Sequence, residues 1–464
     1  MDSIFAEIIN DLNLEFTKRY SDYMPDWTDA YKHIFEHLSI ETFRVHERPS
    51  EKVCTFWSGI TNCFKEYIGR KGKGLRPLLF LASYMAASGR RSQEIPDDIW
   101  DIAFAIEMFN SAALASDDVL DGGKMRRGGK SLPCLIEDLN ESQGIDMGIR
   151  FGLGQESTKN FSGKCVAYFT AKAIEELWLS LRKAIVGIRY DHMYYTNWPK
   201  CTDHPLWLFA NFTAVTNSLS NSMAIYSRIG GVPSKPAIGK EYDLLSCCLE
   251  FLKGTLDGEK IDYWWSNPDK TEWIYNGEIS MPSVDEVLWL QRMKTTLYSV
   301  KFPLIAGALL ADNASFSIVK YLEVLALSFG EAFQIYDDLL VALPEENTGK
   351  SSLSDLINGS RTIVTVGVYE LLENDEKKSW IDLLEKCKVS EEARTEALSI
   401  ICHSGIIEKC NEMIKERMAS CEHSVQELSK AGYVADLPWR LLSEGIHWMD
   451  DGLVESIGRV AEVD

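Results

Sequence analysis

Apolar residues recur every three or four positions along most of this chain. Between residues 3 and 20 the repeat is Ile4, Ile8, Leu12 and Phe16, which is one stripe of a helix with 3.6 residues per turn. The same period runs through 30–45 and 52–68 and resumes after each polar interruption. Alternating, β-branched runs of the strand type are few, and Gly and Pro are sparse inside the periodic runs. The pattern predicts an all-α protein built as a single large helical bundle. Loops are expected near 69–74, 89–97, 122–131, 139–163, 194–206, 229–240, 266–283 and 342–352. The Gly-rich stretch 139–163 and the Tyr/Trp/Pro-rich stretch 194–206 read as insertions, because apolar helical patterns resume on both sides of each. The expected organisation is an N-terminal helical extension over 1–50 and one all-α domain over 51–464.

Charge interrupts the apolar stripes at a few places. The sharpest is Asp117-Asp118-Val119-Leu120-Asp121, followed by Arg126-Arg127-Gly128. Residues i and i+4 of a helix lie one above the other, so these carboxylates crowd and call for a counter-charge. Mg²⁺ favours one or two carboxylates together with substrate phosphates, and two arginines just beyond could grip such phosphates bidentately. A solvated acidic helix end followed by a basic turn has the same sequence signature. A second pair, Asp337-Asp338, follows the apolar helical run from Val319 to Phe329. Carboxylates on facing helices are how bundles build metal sites. Further on, Thr348-Gly349-Lys350 and Asp355 suit a phosphate contact and a metal carboxylate, without the first Gly and the strand of a P-loop. Upstream, Lys73 and Arg76 flank the start of an apolar helix, where free backbone N–H groups favour anions. Lys294 stands in an otherwise apolar helical run, and a buried Lys needs a partner.

Composition narrows the choice. The 48 basic and 69 acidic residues give a net charge of −21, which argues against nucleic acid or an anionic membrane surface as a bulk partner. A polyanionic substrate would need a local concentration of Lys, Arg or metal. The 11 cysteines show no CxxC spacing, the usage of reduced thiols in the cytoplasm rather than of a zinc site or a disulfide framework. The acidic N-terminus reads against a signal peptide, and no apolar run reaches the ~18 residues of a membrane span.

Taken in order, these pieces resemble the trans-isoprenyl diphosphate synthases, the family of farnesyl and geranylgeranyl diphosphate synthases. The likeness rests on Gly72, Lys73 and Arg76; Asp117-Asp118-x-x-Asp121 with Arg126-Arg127-Gly128; Gly258-Glu259-x-x-Asp262; Lys294-Thr295 with Leu297-Tyr298-Ser299 and Phe302-Pro303; and Phe333-Gln334-x-x-Asp337-Asp338. The resemblance implies the isoprenoid synthase type I fold, a helical bundle around a central cavity. It implies three Mg²⁺ ions, with Mn²⁺ as a substitute, held by Asp117, Asp118, Asp121, Asp337, Asp338 and Asp355. Asp117, Asp121, Asp337, Lys294 and Thr295 would be catalytic, the Lys294 carbonyl and the Thr295 hydroxyl steadying an allylic cation. Arg126, Lys294 and Lys350 would bind the allylic diphosphate, and Lys73, Arg76 and Arg127 isopentenyl diphosphate. Asn110, Tyr298 and Gln334 complete the substrate contacts. Ala112 and Ala113, small where farnesyl synthases are often aromatic, leave room for a growing chain, with Phe109 as a possible floor; the implied product is linear and C20 or longer. A homodimer is implied too.

The sequence departs from the family pattern at Val341 (for a third Asp), Ser360 (for Lys, with Arg361 beside it), Asn110 (for His or Gln) and Glu259 (for Gln). A class I terpene cyclase, or another prenyl transfer enzyme on the same scaffold, is the alternative. The cyclase signature Asn-x-x-x-Ser/Thr-x-x-x-Glu is not seen after the second motif. A non-catalytic subunit would show eroded aspartates, and the first motif is intact.

Overall fold

The computed structural model describes residues 2–23, 51–70, 72, 74–142, 161–186, 238–266, 281–311, 314–342 and 353–450. The expected helix over 30–45, the insertion at 194–206, Lys73 and Lys350 lie outside the described residues. Among the described residues the protein is all-α, apart from one two-residue hairpin. No described helix is long and apolar enough to cross a membrane. The chain divides into two compact units, Met1–Leu78 with Ser92–Ile229 and Leu79–Arg91 with Gly230–Asp464.

The first unit contains α1 (Asp2–Tyr23), α2 (Glu51–Gly69), α4 (Asp97–Asp121), α5 (Leu132–Ser142) and α6 (Phe161–Val186). Its core joins Ile60, Phe64, Tyr67 and Ile68 of α2 to Met108, Ala112 and Ala115 of α4 and to Val166, Phe169 and Ala173 of α6. These are helical stripes at three- and four-residue spacing. Phe64 and Phe169 stack with ring centroids 5.1 Å apart. The N-terminal helix α1 is part of this unit. Phe16 packs on Phe104, and Arg19 pairs with Asp97 at 2.9 Å while lying 5.1 Å from the centre of the Trp100 ring.

Between α4 and α5, the loop expected over 122–131 closes into an antiparallel hairpin, Met125–Arg126 against Gly129–Lys130. Its central residues, Arg127 and Gly128, both have positive φ (52° and 75°), the geometry of a type I′ turn. Arg127 is the only non-glycine with positive φ among the described residues. A left-handed non-glycine backbone is costly and persists where surrounding contacts fix it.

The second unit begins with the part of α3 (Leu75–Ser88) from Leu79 onward. It continues with α7 (Ile238–Ser266), α8 (Val284–Gln291), a π-helical segment (Arg292–Lys301), α9 (Phe302–Leu310) and α10 (Phe316–Leu339). After the 3₁₀ turn Leu340–Ala342 come α11 (Ser354–Asn358), α12 (Ile363–Leu371), α13 (Asn374–Cys387), α14 (Glu391–His403), α15 (Ile406–Lys430) and α16 (Asp436–Asp450). Local sequence sets the starts. Ser283 and Glu286 form a reciprocal capping box on α8, and Ser315, Thr362 and Ser390 cap α10, α12 and α14.

The long helices α10 and α15 pack along each other, and α10 also packs on the π-helical segment, as does α7. A π turn is wider than an α turn, and both neighbours are thinned to receive it. A Cβ on Gly258 of α7 would stand 2.7 Å from the Lys294 backbone nitrogen, and one on Gly330 of α10 would collide with Thr296. The Lys294-Thr295 motif, expected in an ordinary helix, therefore sits in an irregular one, as is common at functional sites.

Candidate active site

Helix α4 carries acidic residues at both ends, with opposite consequences. Asp97 and Asp98 in its first turn suit the positive end of the helix dipole. Asp117, Asp118 and Asp121 lie at the negative end, where no basic residue occupies the last turn. Gly122 (φ 68°) ends the helix by donating its N–H to the Asp118 carbonyl. Asp118 is buried and its carboxylate accepts from Arg126 Nη2 at 2.6 Å and Nε at 3.1 Å. Burial pushes the Asp118 carboxyl above its ordinary value, although Arg126 pulls it down. Asp117 is half-buried beside it, and the side chain of Asp121 lies outside the described residues. The Tyr67 phenol, wholly buried, is driven well above its ordinary value by burial and by the Asp118 charge.

Arg127 is tied down more completely. It donates to Glu107 Oε1 at 2.8 Å, to Ser111 Oγ at 3.2 Å and to the Arg70 carbonyl at 3.4 Å. Gly72 packs against the guanidinium, where a Cβ would come within 2.9 Å. Asn110 donates to Glu107 at 3.3 Å, and its Oδ1 is buried without a partner among the described residues. Arg70 braces the hairpin by donating to the carbonyls of Arg126 (3.1 Å) and Lys130 and pairing with Glu66. Arg76 is half-buried in the first turn of α3.

The second acidic pair repeats the first. It closes α10, which likewise has no basic residue in its last turn. Asp338 is buried and accepts from the Ile363 N–H at 2.7 Å and from Gln291 Nε2 at 2.8 Å. Burial, then the charges of Asp355 and Asp337, raise its carboxyl far above the ordinary range, against the pull of those two donors. Asp337, Gln334 and Asp355 are half-buried. In both motifs, then, the second aspartate is buried and tied internally, and the first is half-buried.

In the π segment, Thr295 and Tyr298 are half-buried, and Thr296 is buried with its hydroxyl unpartnered among the described residues. Lys294 is not the buried lone cation that its apolar setting suggests. It is part-exposed and pairs with Asp262 at 2.6 Å and Glu259 at 3.2 Å. Arg361, next to the departure at Ser360, pairs with Glu385 at 3.2 Å. Val341 is buried in the 3₁₀ turn after α10. Of the three positions expected to meet the growing chain, Phe109 and Ala112 are buried, Ala112 within the first unit's core, while Ala113 is half-buried.

The polyprenyl synthetase family model matches residues 58–150 and 208–401, more than half of the chain. The chain belongs to the polyprenyl synthetase family. It is 22% identical over 332 residues to the geranylgeranyl diphosphate synthase of Saccharolobus solfataricus, covering 71% of this chain and 72% of that one. It is 24% identical over 215 residues to the geranylgeranyl diphosphate synthase of Sulfolobus acidocaldarius, which spans 46% of this chain but only 58% of that relative's length. In structure it resembles the geranylgeranyl pyrophosphate synthase of Corynebacterium glutamicum, solved with isoprenyl diphosphate and magnesium (TM-score 0.61, 17% identity, 94% of this chain and 99% of that one). It also resembles the geranylgeranyl pyrophosphate synthetase of Pyrococcus horikoshii (TM-score 0.53, 16% identity, 95% and 97%). At these identities the likeness in structure establishes the shared fold.

The residues expected to meet a metal are all carboxylates, the ligand type that hard cations take. Among the described residues no three acidic, His or Cys side chains converge enough to hold a metal unaided. Mg²⁺, which keeps waters and takes substrate phosphates as ligands, needs no closed cage, and all the candidate donors are carboxylates. Glu107 is the residue that the motifs did not point to. Its signal was a lone carboxylate inside the apolar run Ile102–Phe109, a position that is buried only with a partner.

Proposed function

We propose that this chain is a Mg²⁺-dependent prenyltransferase that condenses an allylic diphosphate with isopentenyl diphosphate into a linear isoprenyl diphosphate, C20 or longer. The observation that carries the reading is the pair of helices, α4 and α10, each ending in carboxylates against its own dipole with no basic residue in the last turn. Carboxylates at the negative end of a helix are disfavoured by its dipole, an effect that bound cations offset. Asp118 already has Arg126, and Asp338 has the Ile363 N–H and Gln291, as internal partners. Asp117 and Asp121 in the first unit, and Asp337 with Asp355 in the second, are the proposed metal carboxylates. Asp118 and Asp338 fix the ends of their helices. Bound Mg²⁺ would neutralise the charge that develops on the departing diphosphate.

Arg126, Lys294 and Lys350 are assigned to the allylic diphosphate, and Lys73, Arg76 and Arg127, with Asn110, to isopentenyl diphosphate. Ionisation leaves an allylic cation, and the Lys294 carbonyl and Thr295 hydroxyl are the dipoles assigned to steady it. The π segment supports that role, because π turns within helices recur at functional sites. Gln334 and Tyr298 are assigned to substrate contact. A homodimer and a cytoplasmic location belong to the same reading; the latter is supported by the free state of all nine described cysteines.

The test is incubation with both diphosphates and Mg²⁺, followed by analysis of the product's length and shape. A linear product supports the reading; a cyclic hydrocarbon would favour the cyclase alternative. Product length should respond to residue 113. Ala113→Phe should shorten the main product by one or more isoprene units, read by chromatography of the dephosphorylated alcohols. Ala112→Phe is the poorer probe, because that position is wholly buried in the core and overpacking costs about 1–3 kcal/mol. An unchanged product distribution in Ala113→Phe would place the floor of the chain pocket elsewhere.

A further inference from the structure

Gly258 lets α7 approach the π segment closely enough that the next residue meets Lys294. Glu259 lies 3.2 Å and Asp262 2.6 Å from the Lys294 ammonium. The three side chains are 20, 25 and 30% exposed respectively, so their charges are only partly screened by water. In the pattern Gly-Gln-x-x-Asp that this family resemblance implies, a neutral side chain would stand at 259, and Lys294 with Asp262 would sum to zero. With Glu259 these three side chains carry two negative charges against one positive. A diphosphate that approaches Lys294 here must compete with two carboxylates for one ammonium and is repelled by the excess charge.

We infer that Glu259 is an affinity-determining residue that loosens the hold of Lys294 on the allylic diphosphate. This rests on the proposed function, in which Lys294 binds that group. It assigns to a single substitution the weakening of one ligand without loss of the ligand itself. The geometry gives the effect a direction. Removing the charge at 259 frees one face of the ammonium and lowers the repulsion, and both changes tighten diphosphate binding.

The test uses the full-length protein and inorganic pyrophosphate in Mg²⁺ buffer, with binding followed by calorimetry and the KM for the allylic diphosphate measured in parallel. Glu259→Gln should lower the Kd for pyrophosphate about tenfold, which is about 1.4 kcal/mol, and lower KM more than it changes kcat. Asp262→Asn, which also removes a negative charge from Lys294, should shift binding the same way. Lys294→Gln should weaken it about tenfold. If Lys294→Gln weakens binding while Glu259→Gln and Asp262→Asn leave it unchanged or weaker, the inference fails and the proposed function stands. If Lys294→Gln leaves pyrophosphate binding unchanged, Lys294 is not at the diphosphate, and both the inference and that part of the proposed function fail. Urea unfolding of each variant separates these outcomes from loss of fold.

Discussion

Asp117→Ala should abolish turnover in a protein that still folds. The carboxylate stands at the negative end of α4 and is half-buried, next to an Asp118 whose own carboxylate is taken up by Arg126. Its removal gives up some attraction to Arg126 and relieves an unfavourable interaction with the helix dipole worth about 0.3–1 kcal/mol. The two oppose each other, so the urea midpoint should move little. The loss falls on the transition state. Neutralising a departing diphosphate is worth several kcal/mol, so kcat should drop on the order of 10³-fold or more. Asp118→Ala should behave in the opposite sense, with stability falling first, because it leaves Arg126 half-buried without its carboxylate. Steady-state turnover and urea unfolding on the two variants check both halves. An active Asp117→Ala would remove the basis of the metal assignment.

Glu107→Ala should be the most damaging single change in the first unit. The Glu107 and Arg127 side chains are only 6 and 12% exposed and pair at 2.8 Å. Deleting one partner of such a pair leaves a buried charge uncompensated, at a cost of about 3–5 kcal/mol. The arginine also holds a positive φ, and its bonds to Glu107 and Ser111 help, with the Arg70 brace, to hold the hairpin turn. Glu107→Gln keeps an acceptor for the guanidinium and should fold. If Glu107 positions Arg127 for isopentenyl diphosphate, the KM for that substrate should rise about tenfold in Glu107→Gln, while the KM for the allylic diphosphate stays put. Equal KM values with reduced stability would make Glu107 a purely structural residue.

The helical architecture was largely legible in the sequence because burial leaves a periodic trace. The stripe Ile4, Ile8, Leu12, Phe16 marks a helix whose Leu12 and Phe16 are buried, and the stripe in 52–68 leads to Ile60, Phe64 and Tyr67 in the core. The aspartate pairs stood out because charge at the end of an apolar helix is rare. What the pattern did not reveal were features with no period. Asp117 and Asp118 are adjacent and chemically identical, and only packing decides which one turns inward to Arg126. The same holds for Asp337 and Asp338. The hairpin at 125–130 has strands too short to alternate and a turn built on Arg127-Gly128 rather than on Asn-Gly. The π segment spans ten residues, too few for its apolar spacing to drift visibly from that of an α-helix. The glycines that accommodate it, Gly258 and Gly330, come from helices distant in sequence. Glu107 was hidden because its partner arrives 20 residues later, across a turn.

In the proposed reaction the attacking carbon belongs to isopentenyl diphosphate. The direct measurement is incorporation of radiolabelled isopentenyl diphosphate by the purified full-length protein with Mg²⁺ and an allylic diphosphate. The product is analysed both before and after phosphatase treatment. The account predicts label in a linear diphosphate longer than the primer, dependent on Mg²⁺ and lost in Asp117→Ala. An unlabelled hydrocarbon formed from the allylic diphosphate alone would contradict it.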